Sequence, residues 1–154
     1  MRFIRNQGFS LIELIITISI LAIMVGLALP LTRNTIRRER ETELKRTLYE
    51  VRAAIDKYKE ASDRGQIDVK LGTEGYPESL QVLVDGVSIV GSASDKKLKF
   101  LRRIPVDPMT NSTEWGQRSY QDDPRSTSWG GQNVFDIYTK SEGIALDGTK
   151  YKEW

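Results

Sequence analysis

One carboxylate stands inside the most apolar stretch of the chain. Phe9 to Leu31 reads FSLIELIITISILAIMVGLALPL, and Glu13 is its single charged residue. An acid in such a run is costly unless it is neutral or paired, so it is the first candidate for a functional group. The competing reading is a carboxylate that reaches water beside a helix N-terminus, whose dipole favours it. Other chemistry is sparse. With no Cys and no His, the chain has no thiol nucleophile, disulfide, Cys-ligated metal or imidazole base. Asp122 and Asp123 are adjacent in a loop, where a solvated turn is the simpler reading. No two acids are spaced convincingly for a two-carboxylate hydrolase, and neither a Walker-type loop nor GxGxxG occurs. Trp115, Trp129 and Trp154 suit a core or subunit contacts better than a base-stacking set. The formal net charge of +2 is too small for a nucleic-acid footprint. Asn111-Ser112-Thr113 matches a glycosylation acceptor, a pattern too short to carry weight.

The element that positions Glu13 is a long helix. As a helix, Phe9–Leu31 reaches about 34 Å, enough to cross a bilayer core of about 30 Å. A core helix apolar on every face would need more protein around it than this chain supplies. A removable secretory signal is shorter and ends in small residues, whereas Pro30 and an arginine-rich segment follow here. A mean hydropathy of −0.41 therefore averages two unlike segments. Pro30 removes a backbone donor and Gly26 adds softness, so a kink or locally unwound stretch is expected there. From Thr32 to about Asp63 there is no Gly or Pro, and Leu44, Leu48, Val51, Ile55 and Tyr58 form one helical stripe that needs a packed partner. Glu41–Lys45, Arg46–Glu50 and Arg52–Asp56 have pairing spacing, although solvated surface is the favoured reading for most of these charges. Gly65 is placed to end the helix.

The junction Gly8-Phe9-Ser10-Leu11-Ile12-Glu13, behind the short basic segment Met1-Arg2-Phe3-Ile4-Arg5-Asn6-Gln7, resembles the leader of type IV pilins and type II secretion pseudopilins. The resemblance implies cutting after Gly8 by a prepilin peptidase and methylation of the new N-terminus at Phe9. It also implies retention of the apolar run. Glu13 falls at the family's fifth mature position and Pro30 at its twenty-second. In such filaments apolar helices pack together, and a buried carboxylate there needs a cation. The resemblance supplies one as the new amine of a neighbouring subunit, which would set subunit register. Around Pro30, family filaments lose helical hydrogen bonds. One feature disagrees: Arg33, Arg37, Arg38 and Arg40 outnumber Arg2 and Arg5, so the positive-inside rule would place the far side in the cytoplasm. The leader places it outside and is the more specific signal.

Beyond Gly65 the chain turns Gly- and Pro-rich. Tyr76–Leu83 predicts a Pro-initiated short helix, and Val87–Val90 a strand or extended loop. Trp115–Tyr120 and Val134–Thr139 are the best strand candidates, separated by the loop Gln121–Asn133. Asp147-Gly148 marks a tight turn. Tyr76-Pro77, Leu101-Arg102-Arg103-Ile104-Pro105-Val106-Asp107-Pro108, Trp115-Gly116, Phe135–Tyr138 and Asp147-Gly148 resemble the major pseudopilin of type II secretion. That resemblance implies calcium in the C-terminal loop, with Asp147 the first candidate ligand and Glu142 the second. So few carboxylates favour a turn-forming Asp147, and Asp136 reads as solvent-facing on its strand.

The expected fold is α+β, a long N-terminal helix packed on a small antiparallel C-terminal head. The expected divisions are a leader at 1–8, a transmembrane and filament-core helix at 9–31, an amphipathic stalk at 32–64 and a head at 65–154. The resemblance implies a non-enzymatic pseudopilus subunit, single-pass in a bacterial inner membrane before assembly into a periplasmic filament. Its partners would be copies of itself, minor pseudopilins, the prepilin peptidase, and the assembly platform with its ATPase. The alternatives are a pilin of a surface type IV pilus and a membrane-anchored enzyme or binding module. Loss of the leader removes Arg2 and Arg5, which leaves basic and acidic side chains equal at 21 each.

Overall fold

A computed structural model describes residues 9–91 and 96–154, with the backbone alone for residues 26–33. Two compact units divide the chain, one up to Arg38 and one from Glu39 to Trp154. Helix α1, Leu11–Asp63, contributes to both.

In the first unit the helix ladder opens with the Leu14 amide donating to the Ser10 carbonyl at 3.1 Å. The described large apolar side chains from Phe9 to Val25 are all 53–78% exposed. Thr17 and Ser19 donate their hydroxyls back to the carbonyls of Leu14 and Ile15, so these polar groups are satisfied within the helix. Among the described residues no helix is long and apolar enough to cross a membrane. The expected span, 9–31, extends into side chains outside the described residues. Of the expected kink or unwound stretch, the unwound one is absent, because α1 runs through Pro30 without a break. One missing donor removes one rung, and the rungs on either side hold the helical path.

The second unit is built on the apolar stripe. Leu44, Leu48, Val51, Ile55 and Tyr58 are at most 4% exposed, and Ala54 and Ala61 extend the buried face. Leu80, Leu83, Leu101, Trp115, Val134, Ile137, Ala145 and Tyr151 pack over it. At the end of α1 the Gln66 amide donates to Ala61 O and the Gly65 amide to Ser62 O, both at 2.9 Å. Gly65 has φ +65°, so this is a Schellman cap that requires left-handed backbone.

Helix α2, Leu80–Asp85, starts three residues later than Pro77 predicts. Pro77 is buried and its carbonyl accepts from the Val134 amide at 2.7 Å, so it is tied to the segment before β4 rather than to the helix. Strands β1, Val87–Ser88, and β2, Lys97–Leu98, form one antiparallel pair. Strands β3, Gly116–Arg118, and β4, Asp136–Tyr138, form the other, with Gly116 opposite Tyr138 and Arg118 opposite Asp136. The expected strands are thus present as three-residue centres. A Cβ at Gly116 would collide with the Tyr138 ring, which explains the glycine. A short 3-10 turn, Tyr151–Glu153, follows. The architecture is a long helix followed by small antiparallel sheets, the α+β pilin-like arrangement.

Candidate functional site

Gly8 lies outside the described residues. Phe9 and Ser10 precede α1, and Phe9 is 78% exposed. Glu13 occupies the first turn of α1 and is exposed, where the positive end of the helix dipole favours a carboxylate. A single acid thus sits at the start of an apolar helix whose described surface lacks a covering. Such a surface is stable only against lipid or other protein. Pro30 is on the helical backbone, and its side chain is outside the described set.

The C-terminal loop is anchored to α1 by Glu41. Its Oε1 accepts from the Leu146 amide and from the Tyr151 hydroxyl, each at 2.8 Å. Lys45, one turn along, sits 4.2 Å from the Trp154 ring centroid in a cation–π contact. Asp147 Oδ1 accepts from the Thr149 amide at 2.9 Å and the Thr149 hydroxyl at 2.6 Å. Those bonds, the hydroxyl's first, hold its pKa below the ordinary carboxylate value, and Lys45 adds to the effect. Glu142 Oε2 accepts from Lys152 Nζ at 2.9 Å. Both candidate calcium ligands are therefore engaged within the chain. Among the described residues, no group of three or more His, Cys, Asp or Glu could hold a metal ion. These residues do not fit the six to eight oxygens that calcium takes.

Asp136 is not solvent-facing as its strand position suggests. Its Oδ1 accepts from Arg52 Nε at 2.7 Å, and its Oδ2 from Arg118 Nη1 at 3.1 Å. Arg52 reaches across from α1 rather than pairing with Asp56, and it also donates to the carbonyls of Ile137 and Trp154. Arg118 is buried and lies 4.1 Å from the Tyr138 ring centroid. One carboxylate therefore joins the helix to the β3–β4 sheet through two guanidiniums.

Asp107, in the Ile-Pro-Val-Asp-Pro loop, is fully buried. It accepts from the Met109 amide at 2.8 Å and from the hydroxyls of Thr110 and Thr139. Its own amide donates to Ser112 O. The loop is thereby fastened to the end of β4. The motif pointed to this loop, but nothing in the sequence pointed to the Thr139 partner. Asp122 behaves as a turn acid, accepting from the Ser119 and Gly130 amides, and these bonds hold its pKa low. The three tryptophans have separate roles. Trp115 is core and donates to Pro105 O, Trp129 donates to Asn133 O, and Trp154 packs on Tyr151. No spacing or motif announces the partly exposed ring cluster of Tyr76, Tyr120 and Phe135.

Residues 4–29 match the prokaryotic N-terminal methylation motif. The prepilin peptidase-dependent protein D of Escherichia coli (strain K12) is 27% identical over 120 residues, spanning 72% of this chain and 81% of that protein. No solved structure matches. The motif implies processing by a prepilin peptidase and pilus-like assembly. The motif over the start of a long helix, the small antiparallel sheets beyond it and this relative together make the chain similar to type IV pilin-like proteins.

Proposed function

We propose that the chain is a non-enzymatic structural subunit of a periplasmic pseudopilus, assembled from the inner membrane to drive export of folded proteins by type II secretion. The observation that carries this reading is α1 itself, unbroken over 53 residues, with its described apolar end exposed and one acid in its first turn. Removing that surface from water is worth about 25 cal/mol per Å2, so it drives the segment into lipid, and packing against other copies then takes the place of lipid contact in the filament. After cleavage behind Gly8, the Phe9 amine of one copy pairs with Glu13 of a neighbour and sets the register. The relative's printed name supports dependence on a prepilin peptidase. The buried Asp107 loop and the head segments around it support a pseudopilin over a surface pilin. Further partners in this reading are minor pseudopilins and the inner-membrane platform with its ATPase.

Deletion of the gene in its own host, with secretion and surface filaments scored together, tests the assignment. Lost secretion with intact surface filaments is expected. Lost surface filaments with intact secretion would replace this reading with the surface-pilus one. In the same host, Glu13→Leu is expected to leave membrane insertion intact and abolish incorporation into filaments. Normal assembly of that variant would refute the pairing role.

A further inference from the structure

We propose that the cavity beside β3 is a binding site for a single oxyanion group, a carboxylate or a phosphate. It has a volume of about 280 Å3 and is lined by Arg118, Pro124, Arg125, Thr127, Lys152 and Glu153. Three of the six are cationic. Arg118 presents a side chain only 8% exposed. Its guanidinium has five N–H donors. Three hydrogen bonds use them, to Ser126 O at 2.9 Å, Asp136 Oδ2 at 3.1 Å and Lys152 O at 3.3 Å. The remaining donors on its two terminal nitrogens have no acceptor among the described residues.

Cationic side chains outnumber acidic ones in the lining, three to one. Asp136 is shared between Arg118 and Arg52, so one carboxylate faces two guanidiniums. Arg125 adds a cation that makes no ion pair among the described residues, while Lys152 is paired with Glu142. Glu153, exposed, is the only acid in the lining. A guanidinium fork fits the geometry of an oxyanion, and two such groups on one cavity favour it further.

The wall carrying Arg125 and Thr127 is fixed before any ligand arrives. The Arg125 amide donates to Asp123 Oδ1 and the Ser126 amide to Asp123 O, both at 2.8 Å. The Tyr138 hydroxyl donates to Thr127 O at 2.9 Å and ties the loop to β4. Prior ordering of this kind lowers the entropic cost of binding. The volume lies at or below the small end of ligand pockets, so it suits one oxyanion group rather than a nucleotide. That group could come from inorganic phosphate in solution or from an acidic side chain of a second copy of this chain.

The test uses the full chain in detergent, titrated with sodium phosphate against sodium chloride at equal ionic strength. Backbone amide shifts of Arg125, Thr127 and Lys152 are followed. Saturable movement with phosphate alone is expected, weakened about tenfold in Arg125→Gln, a change at an exposed position that leaves the buried Arg118 in place. Filaments formed by wild type, Arg125→Gln and Arg125→Glu provide the second arm. No phosphate response, but with assembly reduced in Arg125→Gln and more so in Arg125→Glu, would assign the site to a neighbouring copy's carboxylate. Shifts equal in chloride and phosphate, together with unaltered assembly of Arg125→Glu, would overturn the proposal.

Discussion

Asp136→Ala removes the one acid that Arg52 and Arg118 share, and its cost follows from their unequal exposure. Arg118 has a side chain 8% exposed and cannot recover its solvation. Removing the partner of a buried charge costs about 3–5 kcal/mol. Arg118 keeps its bonds to Ser126 O and Lys152 O and its contact with the Tyr138 ring, which places it near the lower end, about 3 kcal/mol. Arg52 is 37% exposed and keeps the Ile137 and Trp154 carbonyls, so its share is below about 1 kcal/mol. The expected total is about 3–4 kcal/mol, or roughly 12 °C in Tm for a unit of this size. The assay is urea unfolding of the full chain in a mild detergent, read by near-ultraviolet dichroism of the buried Trp115. A cycle with Arg118→Ala should return a coupling of about 2–3 kcal/mol, and one with Arg52→Ala less than about 1. Equal couplings for the two arginines, or a total cost under about 1 kcal/mol, would refute the clamp.

The other expectations can be checked on the same preparation. Gly116→Ala places a Cβ inside the Tyr138 ring and should cost at least about 2 kcal/mol in urea unfolding. A neutral result there would mean that β3 and β4 are not paired in this register. Asp147 has a lowered folded pKa, so its contribution is fully present above the unfolded carboxylate value of about 3.9 and is lost only as pH falls through the lower folded value. Its carboxyl carbon shift should therefore titrate at a lower pH than that of an aspartate in the unfolded chain, and millimolar calcium should leave both that shift and the Tm unchanged.

What could be read from the sequence was local and periodic. Leu44, Leu48, Val51, Ile55 and Tyr58 repeat at helical spacing, and each is buried where the pattern requires. Gly65 could be recognised as a cap because left-handed backbone has few tenants. The helix-initiating tendency of Pro77 alone places the start of α2 three residues too early. Its carbonyl pairs with Val134, fifty-seven positions away, and propensity cannot register that. Strand β2 has two residues, too few for alternation to show. Arg52 and Asp136 met for the same reason that they could not be paired in advance. Arg52 had a nearer acid at Asp56 with ideal helical spacing, and only the folded sheet brings Asp136 within 2.7 Å.

Glu41 shows how a surface charge on the stalk becomes a structural tie, and the tie can be tested. Its Oε1 holds two donors from the C-terminal segment, the Leu146 amide and the Tyr151 hydroxyl, and Tyr151 is a buried core residue. Glu41→Ala removes the acceptor from both. The Leu146 amide is at an exposed residue and returns to water at little cost. The Tyr151 hydroxyl loses a charge-assisted bond worth about 1.5–3 kcal/mol. Glu41→Gln keeps an acceptor oxygen and should recover about half of that loss, because a neutral bond is roughly half as strong. Tyr151→Phe removes the donor without a cavity, so it should cost no more than Glu41→Ala, and the double variant should cost little beyond Glu41→Ala alone. Hydrogen exchange at the Ala145 and Gly148 amides, which close the neighbouring turn, should accelerate in Glu41→Ala but not in an exposed control such as Glu43→Ala. Additive losses in the double variant, or unchanged exchange in the turn, would show that the loop is held by packing of Ala145 and Tyr151 alone.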